Sequence, residues 1–226
     1  MLVFVAAERR ELEGLLVHVD EVTRPDWPLD FARLGRLNGV PVVMLANGPG
    51  PKLARAAVDA AKENESMDGL ISTGFCGGLN PALCACDIFV ATEIVGIAAA
   101  LTPSSSRPFQ TGKLLSMDRV VSSAEEKAEL SKNADAVEME AAAVAERARE
   151  WGVPFYSIRV VTDTSDEDFP LDFNRMRSED GRFSRSRIIA AALRSPASVV
   201  PELIKLNKRT KRAARALGDF LADARF

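Results

Sequence analysis

Apolar residues along the chain fall into short unbroken runs separated by stretches with helical spacing. Leu2 to Ala7 is one such run, closed by Glu8-Arg9-Arg10-Glu11, and it predicts a strand buried on both faces. Glu8 to Val17 then places Leu12, Leu15 and Leu16 on one helical face. Phe31–Leu37 and Val40–Ala46 are strand candidates joined by Asn38-Gly39, a pair suited to the positive φ angles of a tight hairpin turn. Asn47-Gly48-Pro49-Gly50 reads as a loop, and Pro51 opens a helix to about Asn64. Leu70–Thr73 predicts a strand running into a glycine-rich loop, Gly74 to Gly78, and Ile88–Val95 another strand. Residues 98–111 read as an exposed loop, and Ser123 as the cap of a helix. Ala136–Met139 is a short strand, Ala141–Trp151 an alanine-rich helix stopped by Gly152 and Pro154, and Phe155–Thr162 a further strand. Strands alternating with helices predict an α/β fold with a largely parallel sheet and an antiparallel hairpin near its start.

The 226 residues suffice for one domain with a sizeable core. A single histidine, His18, excludes any mechanism needing a multi-histidine metal site, and His18 itself reads as a surface or packing residue. Cys76, Cys84 and Cys86 are odd in number and clustered, which suits free thiols in a reducing compartment. The leading apolar run is too short for a signal peptide, so a cytoplasmic location is expected.

Charge divides unevenly. Residues 175–226 carry 13 Lys or Arg against 5 Asp or Glu, whereas residues 1–174 carry 16 against 27. Pro196 to Phe226 reads as a helix whose Leu203, Leu206, Leu217, Phe220 and Leu221 lie among basic residues. The domain expectation is a core over 1–174 with a basic helical extension over 175–226, packed on the same domain. That helix is either a solvated basic face or a contact for an anionic membrane surface or acidic partner. No interleaved aromatics accompany the charge, and no nucleic-acid partner is expected.

With imidazole scarce, the 32 carboxylates carry the candidate chemistry. Breaking the bond between a ribose carbon and a purine nitrogen builds positive charge on the sugar. Carboxylates can stabilise that charge, protonate the departing base and activate water. Glu11 follows the first strand, Glu138 and Glu140 the Ala136 strand, and Asp163 the Phe155 strand, where ligands collect in open α/β sheets.

Four motifs carry a resemblance. Ala136-Val137-Glu138-Met139-Glu140-Ala141 and Arg159-Val160-Val161-Thr162-Asp163 resemble the purine nucleoside phosphorylase and nucleosidase superfamily. Thr73 to Leu79 resembles its ribose loop, and Ala7 to Leu12 the first loop of the methylthioadenosine/S-adenosylhomocysteine nucleosidases. The resemblance implies a single three-layer αβα domain around a central mixed, largely parallel twisted sheet. It also implies catalytic roles: Glu11 would position the attacking water, Asp163 would protonate the leaving base, and Arg159 would orient and support that site. Glu140 would bind ribose hydroxyls and Met139 would pack on the sugar. Glu138, Phe75, Cys76 and Gly77 would line the substrate site, and Val120 and Val121 match the segment whose backbone reads the purine edge. A homodimer or larger homo-oligomer is implied, with no metal and no cofactor.

Two departures bear on substrate. Phe75 stands where these nucleosidases carry a small hydroxyl residue, and Val120 stands at the base-stacking position. Ser116 to Val121, Asp172-Phe173-Asn174 and the basic tail are similar to the hopanoid-associated phosphorylase-like proteins, which implies release of adenine from a lipid-linked adenosine, adenosylhopane. Water is the expected nucleophile, because Glu11 would repel phosphate. The alternatives are a phosphorylase using phosphate as co-substrate, a methylthioadenosine-type nucleosidase, and a nucleoside-binding protein without turnover.

Overall fold

The computed structural model describes residues 1–169, 172–178, 181–182 and 196–226. Strand β1 (Leu2–Ala6) lies between β4 (Val40–Ala46) and β5 (Gly69–Gly78), parallel to both. Its side chains alternate between two cores. Val3 and Val5 face helices α2 (Pro51–Asn64) and α4 (Ala141–Trp151), through Ala54, Ala57, Val58, Val144 and Ala148. Phe4 and Ala6 face α1 (Arg9–Leu16) and α5 (Pro196–Asp223), through Leu12, Leu15, Ala213, Leu217 and Phe220. This gives three layers, helices on both faces of one mixed sheet, with its parallel centre explained by burial on both sides.

The antiparallel margin begins with the predicted hairpin, β3 (Phe31–Leu37) against β4, with Asn38 and Gly39 both at positive φ. An additional strand, β2 (Val19–Thr23), pairs with β3. Only Val19 of it is buried, so it carries no alternating apolar signal. At the other end, β5 pairs with β10 (Phe155–Asp163), which pairs in turn with β6 (Ile88–Ile94). From β6 the pairing continues to β8 (Gln110–Ser116), then β9 (Ala136–Glu138), and back to β5. These five strands form a closed circuit of hydrogen bonding, so β5 has three strand partners.

Two expectations need correction. The segment 74–78 is not a loop: β5 runs unbroken through it, bonded to β10 and then β9. Residues 98–111 are not wholly loop, since β7 (Ala98–Ala99) pairs with β6 and Gln110 and Thr111 begin β8. Their polar, largely exposed side chains hide the strand from a hydrophobic pattern. Helix α3 (Ala124–Leu130) is capped as expected, with the Ser123 hydroxyl accepting from the Glu126 N–H at 3.2 Å.

Helix α5 contains Pro201 and packs its C-terminal half into the core, where Ala213, Leu217, Phe220 and Leu221 are fully buried. Its crossing with α1 is a backbone-to-backbone approach. A Cβ on Gly14 would stand 2.0 Å from the Ala214 carbonyl oxygen, and one on Gly218 would stand 1.9 Å from the Gly14 carbonyl carbon. Among the described residues, no helix is long and apolar enough to cross a membrane.

Candidate active site

The predicted acids lie at or just beyond strand ends, Glu11, Glu138 and Glu140 in one group and Asp163 apart from it. β1 leads through Ala7 into α1, whose third position is Glu11, and β10 ends on Asp163. β9 ends on Glu138, two residues before Glu140 opens α4. All four carboxylates are buried, as is Arg159 on β10.

Arg159 is fully buried and organises this cluster. Its Nη2 lies 2.5 Å from Glu138 Oε2 and donates to Ser72 Oγ at 2.5 Å. Nη1 donates to the Thr73 carbonyl at 2.9 Å and stands 3.8 Å from Glu140 Oε2. A buried guanidinium requires such compensation, since an unpaired one is strongly destabilising.

Glu138 is occupied by the protein itself. It accepts from the Glu140 N–H at 2.8 Å, from the Ala141 N–H at 2.9 Å, and from the Ser116 hydroxyl. With Arg159 added, its oxygens anchor the start of α4, satisfying N–H groups that a helix leaves unpaired. Glu140 keeps more freedom. Among the described residues, its Oε1 accepts only the Gly50 N–H, at 2.8 Å. Burial, then the neighbouring Glu138 charge, pushes its carboxyl up to about 8, with Arg159 opposing.

Glu11 is held by backbone. Oε2 accepts from the Glu8 N–H at 2.7 Å and Oε1 from the Phe75 N–H at 2.8 Å. Burial raises its proton affinity, and those two hydrogen bonds oppose the rise. Gly74, at φ 137°, makes the approach possible: a Cβ there would stand 2.7 Å from Glu11 Oε1 and 3.0 Å from Arg159 Nη1.

Asp163 sits apart from this group. Oδ1 accepts from the Thr162 hydroxyl at 2.9 Å, and Oδ2 is 2.7 Å from Lys127 Nζ. Burial raises its proton affinity, and Lys127 works against that rise. A Cβ on Gly77 would stand 2.9 Å from Asp163 Oδ2, so a side chain there would crowd the carboxylate.

A cleft of about 790 Å³ is lined by Ala7, Phe31, Phe75, Val120, Thr162, Phe169, Phe173, Leu203 and Leu206, with Glu8, Arg9, Arg10, Glu13, Asp30 and Arg182 adding charge; none of the four site carboxylates is in its lining. Glu11 and Asp163 lie beneath this lining, behind Phe75 and beside Thr162 respectively. Asp163 also lines an adjoining cavity of about 120 Å³ that shares Phe169 and Leu206 with the cleft. Met139 is half-buried near Gly50, its Cε 3.9 Å from where a Gly50 Cβ would be. Cys76 is buried, its thiol proton affinity raised by burial, and Val121 packs with Leu79 and Val137. The Val120 backbone is held by the Asn174 carboxamide, which accepts from its N–H and donates to its carbonyl, both at 2.8 Å. His18 lies on the surface, 2.9 Å from Asp219.

Sequence reasoning missed Lys127. Ala-Glu-Glu-Lys-Ala-Glu-Leu carries no sign that its lysine points inward, because the partners are one carboxylate and two carbonyls from distant segments. It also missed Phe169 as part of the cleft wall.

The fold and this buried set of acids define the α/β class that includes the nucleosidases. The sequence profile of the Phosphorylase superfamily matches residues 8–104 and 97–194, and the chain belongs to that superfamily. It is similar to a 5'-methylthioadenosine/S-adenosylhomocysteine nucleosidase of Actinobacillus succinogenes, with 26% identity over 172 residues, covering 62% of this chain and 75% of that protein. The nucleosidase of that name from Neisseria meningitidis, solved with methylthio-immucillin-A, shares the fold at a TM-score of 0.72 and 23% identity, covering 98% of this chain and 96% of that one. A futalosine hydrolase mutant of Helicobacter pylori shares it at 0.69 and 16% identity, over 97% and 96% of the two chains.

Proposed function

We propose that this protein hydrolyses the N-glycosidic bond of an adenine nucleoside bearing a large apolar 5' substituent, of the adenosylhopane kind. The cleft carries this reading. Its roughly 790 Å³ exceeds what a bare nucleoside fills, and Phe31, Phe75, Phe169, Phe173, Leu203 and Leu206 offer an apolar wall to whatever extends from the sugar. Phe75 cannot hydrogen-bond a sugar or a nucleophile, but it can pack on hydrocarbon.

In this reaction Glu11 takes a proton from water as its oxygen adds to the anomeric carbon. The electron pair of the breaking bond leaves with the base, and Asp163 supplies a proton to the base's ring nitrogen. Glu140 orients the ribose hydroxyls, and Arg159 fixes the relation between Glu138 and Glu140. Water suits the site better than phosphate, since the buried Glu11 would repel an anion.

The basic half of α5 completes the proposal. Val200 and Ile204 are exposed beside Lys205 and Lys208, while Leu203 and Leu206 line the cleft. An anionic membrane surface would meet those lysines and bring a lipid-linked substrate to the cleft mouth.

The test is a panel of 5'-substituted adenosines, including a lipid-linked one, assayed for free adenine with and without phosphate. Faster release from the lipid-linked compound, unaffected by phosphate, is expected. Rapid cleavage of methylthioadenosine with none of the lipid-linked compound would overturn the substrate assignment. Ribose 1-phosphate as the obligatory product would overturn hydrolysis.

A further inference from the structure

Lys127 is fully buried, and its ammonium has three hydrogens to place. It donates to the Thr164 carbonyl at 2.8 Å and the Glu167 carbonyl at 2.9 Å, and it stands 2.7 Å from Asp163 Oδ2. The Phe169 ring centroid lies 5.5 Å away. Two carbonyls and a carboxylate make a site for a charged ammonium, and the two carbonyls come from the turn that directly follows Asp163. The lysine therefore fixes both the carboxylate and the backbone carrying it.

Other groups surround the pair. From β10 the Thr162 hydroxyl bonds Asp163 Oδ1, and from β5 Cys76 and Gly77 adjoin it. From α5, Arg209 pairs with Glu167 at 2.7 Å and adds a weaker positive field at Asp163. Asp166 lies in the same turn, bonded to the Thr164 hydroxyl at 2.6 Å. Among these, Lys127 is the only cation in direct contact with Asp163 in the described residues.

We infer that Lys127 is a positioning residue for Asp163, fixing the orientation of the carboxyl that delivers a proton to the leaving base. The inference rests on the nucleosidase reading. When the glycosidic bond breaks, the Asp163 carboxyl hydrogen moves to the purine ring nitrogen, the bonding pair having gone to the base. Asp163 becomes a carboxylate, and the Lys127 ammonium already beside it stabilises that product. The lysine's charge makes Asp163 a stronger acid but lowers the pH at which Asp163 loses its proton to solvent.

Lys127→Met separates these effects. At the pH optimum kcat should fall by ten-fold or more with KM little changed. The alkaline limb of the kcat profile should move upward by about 1–3 pH units, the range for losing a cation in contact with a carboxyl. Lys127→Arg should restore the limb toward its original position, and Lys127→Gln should behave as the methionine variant. Carbon-13 titration of the Asp163 carboxyl, assigned with Asp163→Asn, should show the same upward movement in Lys127→Met without any substrate. Superimposable limbs and titrations would overturn the inference, as would loss of fold in all three variants, which would leave a purely structural ion pair. Because the titration needs no turnover, absence of base release from any nucleoside would count against the nucleosidase reading alone.

Discussion

Arg159 and Glu138 lie 2.5 Å apart, with neither side chain appreciably exposed. Glu138 also holds the first N–H groups of α4, and Arg159 also holds Ser72 and the Thr73 carbonyl of β5. The pair thus ties together four elements, β5, β9, β10 and the start of α4, around the candidate active site. Glu138→Ala removes one member and leaves a buried guanidinium that keeps its bonds to Ser72 and the Thr73 carbonyl but whose nearest remaining carboxylate among the described residues is Glu140, at 3.8 Å. It should cost about 3–5 kcal/mol of stability, read by urea unfolding. A loss below about 1 kcal/mol, the range of an exposed pair, would contradict the central role given to this contact.

Asp163→Asn keeps the side chain's volume and its contact with the Thr162 hydroxyl but cannot deliver a proton. Adenine release should fall by about 10²–10⁴. A thermal unfolding curve would check that the fold survives. Near-normal turnover in a folded variant would remove Asp163 from the role of acid.

Glu140 gives a stability prediction with a definite sign. Its carboxyl titrates near 4.5 in an ordinary setting and is pushed up to about 8 here. Between those values the folded chain holds more protons than the unfolded one, so stability falls as pH rises through that window. Glu140→Gln cannot ionise. Its melting temperature relative to the unaltered protein should therefore climb between pH 5 and pH 8 and level off above. A constant difference across that range would show that Glu140 titrates normally.

The crossing of α1 and α5 predicts an intolerance to added volume. Gly218→Ala places a methyl group 1.9 Å from the Gly14 backbone, a distance no side-chain rotation can relieve. The helices must separate, at a cost of about 1–3 kcal/mol or more in the melting transition. Gly96→Ala serves as a control. A Cβ there meets nothing within 4 Å, so any effect would come from its positive φ alone.

Much of this arrangement is readable from sequence because burial imposes period. β1 and most of β4 are continuous apolar runs since both faces are covered, β10 is rich in β-branched and aromatic residues, and Asn38-Gly39 marks the hairpin because few residues accept its backbone angles. β2 and β8 escape notice for the opposite reason: each has one buried residue, the rest being exposed or half-buried, and backbone pairing alone gives no hydrophobic signal. The acids of the site follow from strand ends and motif spacing. Lys127 does not, because its place depends on contacts with Asp163, Thr164 and Glu167, nearly forty residues away. The Asn174 contact with Val120 is equally silent in the chain, spanning 54 positions with no pattern to predict it.

Gly74 has no side chain and no charge, yet the electrostatics of the cluster depend on it. Any other residue would put carbon where the Glu11 carboxylate and the Arg159 guanidinium both press against the strand, and would do so at a φ that side chains disfavour. Two separate prohibitions fall on one position, one of volume and one of backbone angle. In a saturation library scored for both abundance and turnover, position 74 should be depleted of every alternative on both scales. Gly39, with open space around it, should tolerate asparagine, which accepts positive φ more readily than most residues.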